Sequence, residues 1–130
     1  MSIQYTDSIN VLNAVTASLA NTAATTYDAS KRQLKSIQFT AASVSGGGSG
    51  AFGIEVSNDG TNWVVYNRLI TNAVGDNTKT DAYTAAPTLS SSTSSIHFFP
   101  TSDLFRYIRV FVTVTAGTGG VYTASLEMAG

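Results

Sequence analysis

The sequence predicts an all-β protein: an antiparallel two-sheet β-sandwich or jelly roll of about seven or eight short strands, with an extended N-terminal arm. Three observations point there. Apolar and polar residues alternate with period two through most of the chain, while the helical period is nearly absent. The alternating runs are bounded by turns rich in Gly, Asn, Asp and Ser, the residues that reverse a chain at low conformational cost. Hydrophobic residues make up 43% of 130 residues and there is no cysteine, so one core must hold the domain without disulfide staples. A single domain is expected, residues 1–32 forming the arm and first strand and residues 33–130 the sandwich.

In "NVLNAVTASLANTAATT" (10–26), Val11, Val15 and Leu19 sit four apart, as on a helix face, but the Thr, Asn and Val content disfavours a helix. An arm plus strand is the better reading, with an Ala-rich helix as the alternative. From Gln33, "QLKSIQFTAASV" alternates, with Ile37 and Phe39 inside, and "GGGSG" (46–50) follows as a loop with nothing to fill a core. "AFGIEVS" (51–57) sets Phe52, Ile54 and Val56 on one face, Glu55 and Ser57 on the other. Asn58-Asp59-Gly60 reverses the chain and "NWVVYNRLI" (62–70) returns, a hairpin with Trp63 expected to pack inward beneath it. Residues 71–95 read as long Ser/Thr-rich loops around one or two short strands, and "SIHFFP" (95–100) as a short strand closed by Pro100. "DLFRYIRVFVTVT" (103–115) is the longest clean strand; Phe105, Tyr107, Arg109 and Phe111 share one face, Ile108 and Val110 the other. "AGTGG" (116–120) turns into the strand "VYTASLEM" (121–128).

Charge excludes some functions. Only 12% of residues are charged, against about a quarter in an ordinary domain, and the net charge is −1. Seven Lys and Arg offer no basic patch, so nucleic-acid binding by counterion release is not expected. Ser and Thr cost little to desolvate, which suits a surface that neighbours will cover. No basic segment followed by an apolar one marks a signal peptide, and no apolar run is long enough for a membrane helix. Synthesis in a host cytoplasm is expected.

Catalysis is not expected either. His97 is the chain's one histidine, and a lone His on a strand is ordinarily structural. "GGGSG" lacks the strand-to-helix setting of a nucleophile elbow and the Lys of a phosphate loop. The carboxylates are scattered singly, and "NDG" and "GDN" lack the spaced oxygens of a calcium loop. No cofactor and no metal are expected.

"IEVSNDGTNWVVYN", followed by "FRYIRVFVT", resembles a paired signature of discoidin-like sandwich domains. The resemblance implies that Ser57, Asp59, Gly60 and Trp63 shape the hairpin, Trp63 facing the core. It also implies that Arg106, Tyr107, Ile108 and Arg109 lie in a central strand. It covers about half of the chain and carries no ligand with it. The "SNDGTNW" phrase in a Ser/Thr/Ala/Gly-rich chain also looks like small phage virion proteins, capsid decoration (cement) proteins among them. That likeness implies a non-enzymatic protein on a capsid surface, with the major capsid protein and copies of itself as partners, a trimer suiting local three-fold axes. The arm and the loops "SVSGGGSG" and "TNAVGDNTKTDAYTAAP" are then the contact segments. The alternative is a glycan- or receptor-binding module of a phage tail or cell surface.

Overall fold

The structure, a computed structural model, describes residues 6–30, 32–70, 82–115 and 119–129. Two antiparallel sheets face one another. The strands among the described residues are β1 (Thr6–Val15), β2 (Tyr27–Asp28), β3 (Leu34–Ala42), β4 (Ser49–Ser57), β5 (Val64–Val65), β6 (Leu69–Ile70), β7 (Tyr83–Thr84), β8 (Thr88–Leu89), β9 (Thr93–Phe98), β10 (Tyr107–Thr115) and β11 (Val121–Ala129). One sheet has the order β1-β11-β3-β9-β6-β7, the other β2-β10-β4-β5, with β8 also on β4. The strands outnumber the expected seven or eight because five of them are two residues long. Alternation over so short a run leaves no readable period.

Each sheet is centred on a nine-residue antiparallel pair in unbroken register, β3 with β11 and β4 with β10. Their inward faces make the core: Ile37 and Phe39, Leu126 and Ala124, Phe52 and Ile54, Ile108, Val110 and Val112. Phe39 meets Phe52 at 4.8 Å between ring centroids, and Phe52 meets Tyr122 edge-on at 6.1 Å. A second aromatic cluster, Tyr66, Phe99 and Phe105, closes the opposite end with centroid distances of 5.1 to 5.8 Å. Lys35 is buried beside it, its Nζ donating to the Arg32 carbonyl at 2.8 Å and lying 5.0 Å from the Phe105 ring.

Three sequence expectations change. The N-terminal segment is woven into the body from Thr6 onward. Residues 6–15 pair with β11, Leu19 bridges Val112, a single 3-10 turn covers Asn21–Ala23, and β2 pairs with β10. The Val11–Val15–Leu19 spacing therefore marks contacts of a strand and its extension, not a helix face. "NWVVYNRLI" does not run as one strand. β5 stays with β4, and after Tyr66 the chain crosses to the other sheet as β6, because Tyr66 and Leu69 both drop into the core. The strand expected over 103–115 begins only at Tyr107. Residues 100–103 form a turn closed by the Asp103 N–H on the Pro100 carbonyl (3.1 Å), and Phe105 folds inward, off the face of Tyr107.

Candidate functional site

Ser57, at the end of β4, organises the hairpin. Its Oγ accepts from the Asp59 and Gly60 N–H groups (3.2 and 2.9 Å) and donates to Asp59 Oδ1 at 2.9 Å. Asp59 then accepts from the Thr61 and Asn62 N–H groups at 2.8 Å, and its Oδ2 from the Asn62 side chain at 2.8 Å. Those donors, the Asn62 N–H first, hold its carboxyl far below the usual carboxylate range. Gly60 takes the positive φ of 76° that closes the turn, and a Cβ there would sit 3.5 Å from the Tyr107 ring. Asn58 Oδ1 accepts the Arg106 N–H at 3.2 Å, tying the turn to the start of β10.

Register then sets Tyr107 opposite Ser57 and Arg109 opposite Glu55, on the outer face of the sheet. The Arg109 guanidinium donates to Glu55 Oε1 through Nε and Nη2 at 2.8 and 2.7 Å, both side chains being mostly buried. Asn21, reaching over from the 3-10 turn, donates Nδ2 to both Glu55 oxygens at 3.2 and 3.3 Å. Arg109 also lies 4.1 Å from the centroid of the Trp63 ring. So the fold brings the eight residues of the paired signature to one ladder, with two departures. Trp63 is half-buried on the outer face rather than in the core, because it shares the parity of Val65, which pairs with Glu55. Tyr66, one step out of that parity, takes the buried aromatic position instead. Arg106 is exposed and lies just before β10, its guanidinium 5.0 Å from the Tyr107 ring; Ile108 is fully buried.

The six-stranded sheet carries a different kind of surface. Its register lines up Ser8, Glu127, Ser36, Phe98, Ile70 and Tyr83 across six strands in one outward row. Beside that row a groove of about 700 Å³ opens at the sheet end, walled by Leu34, Ile70, Tyr83, Phe98, Pro100 and Glu127 among others. Leu34 is 54% exposed and Tyr83 49%. Arg68 packs 4.6 Å from the Tyr83 ring and is held by Asp103 at 2.8 Å, which also accepts the Tyr66 hydroxyl at 2.9 Å. The size, and walls that combine Leu34, Ile70, Tyr83 and Phe98 with Ser36, Thr101, Ser102 and Glu127, are those of a binding groove. Sequence reasoning missed it, although one signal was available. Phe98 and Phe99 are adjacent in the run expected as a strand, "SIHFFP", so one of the two rings had to face out. Of the expected contact loops, residues 43–48 link β3 to β4 while 49–50 open β4; of 71–87, residues 71–81 lie outside the described residues and Tyr83–Thr84 form β7 on β6.

No protein-family model matches the chain, and no curated protein sequence matches it. Among solved structures, the SPBc2 prophage-derived protein YomS is similar over 100% of this chain and 97% of that one, with a TM-score of 0.60 and 11% identity. The likeness shows a shared fold. Structures of infectious bursal disease virus, strains Gx and Gt, align over 98% of this chain but only 32% and 31% of theirs. Their TM-scores are 0.44 and 0.39, at 11% and 15% identity.

Proposed function

We propose that this protein is a non-enzymatic structural component of a virus particle, a capsid decoration protein that binds and stabilises the lattice of a major capsid protein. The observation that carries this reading is the end-to-end fold likeness to a prophage-derived protein, in which nearly all of each chain takes part. Two features of the molecule support it. Glu55, Asp59 and Asp103 are each engaged in bonds that hold the fold, so their carboxylates serve structure rather than chemistry. The outward positions of β3 and β9 include Ser36, Gln38, Thr40 and Ser94 beside the apolar Leu34, Ile96 and Phe98, with Thr40 and Ser94 hydroxyls bonded across strands at 3.1 Å. Such a face, with no charged side chain at these positions, costs less to cover with a neighbouring subunit than one of Lys or Glu would. One face of the Trp63 ring is occupied by Arg109, which weighs against a sugar-stacking platform there.

The test is to mix the purified chain with DNA-filled capsids of the phage that encodes it. Cosedimentation at a fixed copy number per capsid, with a raised capsid melting temperature, is the expected result. Failure to cosediment, or selective glycan capture that Trp63→Ala abolishes while the domain stays folded, overturns the proposal.

A further inference from the structure

We propose that the protein dimerises about a two-fold axis beside the Pro100–Asp103 turn, the Leu104 side chain of each copy entering the groove of the other and Arg106 pairing with Glu127 across the contact. Leu104 is 77% exposed, the most exposed of the large apolar side chains described. It belongs to the same short segment whose earlier residues, Pro100 to Ser102, form one wall of the groove. That segment is held in place: Asp103 closes the turn on Pro100 and is bound by Arg68 and by the Tyr66 hydroxyl. An apolar knob and a hole, the groove with apolar walls at Leu34, Ile70, Tyr83 and Phe98, therefore sit side by side on a fixed support.

Charge selects a second copy as the occupant. Glu127 lines the groove and forms no ion pair among the described residues. Arg106, two residues after the knob, is exposed and lacks an acidic partner among the described residues. In a chain with so few charges, a carboxylate at the groove without a cation and a guanidinium at the knob that rests on the Tyr107 ring without an acidic partner, both among the described residues, are complementary between copies. Because knob and hole flank one turn, a two-fold operation makes the contact twice and closes the assembly, as an isologous interface does. A trimer would use each knob and hole once, with different neighbours. The contact does not depend on the virion reading, so the two can fail separately.

Sedimentation velocity on the full chain reads the result. The wild type is expected to run as two 13.6 kDa chains, and Leu104→Asp as one. Arg106→Glu and Glu127→Arg are each expected to raise the dimer Kd by about tenfold or more through like-charge contact. The double variant should return it to within about threefold of wild type, since the pair is restored with its charges exchanged. Circular dichroism checks that each variant is folded, and the rescue separates a lost contact from a damaged fold. A monomer at about 1 mM chain overturns the proposal. So does a three-chain mass, a dimer indifferent to Leu104→Asp (another face, or the chain's own residues, then fills the groove), or single-variant losses that the double variant does not repair.

Discussion

A methyl group added at Gly50 would stand 2.5 Å from two atoms of the Tyr122 ring, and Tyr122 is fully buried with no room to yield. Gly50→Ala is therefore expected to lower stability by about 1–3 kcal/mol, as overpacking does, measured by urea denaturation at constant m-value. Trp63 gives the opposite lesson. A half-buried ring held by one guanidinium should cost about 1–2 kcal/mol on truncation to Ala, whereas Tyr66→Ala, in the aromatic cluster, should cost about 3–5 kcal/mol. Comparing the two variants by denaturation checks the exchange of roles between these side chains, and equal losses would contradict it. The sequence shows the hairpin residues plainly, because Ser57, Asp59 and Gly60 act on one another within four positions. Which of Trp63 and Tyr66 faced in was not legible, since both lie on a run of apolar residues whose parity is set by pairing to Glu55.

The β4–β10 pair shows how an element depends on a contact brought from elsewhere. Glu55 is buried in the middle of β4 and is tolerable there because Arg109 on β10 and Asn21 on the crossing segment surround it with donors. Arg109→Met leaves that carboxylate buried and short of its cation, with an expected loss on the order of 3 kcal/mol. Replacing both, Glu55→Gln with Arg109→Met, should recover a good part of it. A double-mutant cycle by thermal or urea unfolding measures the coupling, and additive losses would count against it. The long strands were legible from period two, since nine residues give four or five inward positions. The two-residue strands were not. β5 and β6 are short because the chain crosses between sheets at Tyr66–Leu69, and tertiary packing decides where. The groove is likewise assembled from five strands and the Phe99–Ser102 segment, so no local window of sequence contains it.

At the scale of the molecule, titration should act in two stages. His97 packs 5.9 Å from the Phe39 ring, and burial holds its pKa below the ordinary histidine value. The unfolded chain then binds that proton first as pH falls below about 6.5, so stability declines on acidification. Asp103, held low mainly by its bond from Arg68, adds a second loss as pH falls below about 4, where the unfolded carboxyl protonates. Urea midpoints across pH should fall in both windows, and His97→Gln should remove only the upper one. A flat profile above pH 5 in the wild type would refute the histidine assignment.

Among the described residues, the strand that β1 pairs with is β11, with Thr6 opposite Ala129 and Ile9 opposite Leu126. A ribosome adding about 5–20 residues per second needs roughly 6–25 s to go from one partner to the other. For that interval Val11 and Leu12, buried in the finished sheet, belong to an unpaired and almost uncharged stretch on the nascent chain. Synthesis is thus a vulnerable period, and a chaperone that shields short apolar segments would matter most then. Pulse proteolysis of ribosome-bound chains stalled before Val121 should cut within residues 6–15, and chains extended past Gly130 by an added linker that carries β11 clear of the ribosome should resist. Protection in the shorter chains would mean that β1 finds another partner first.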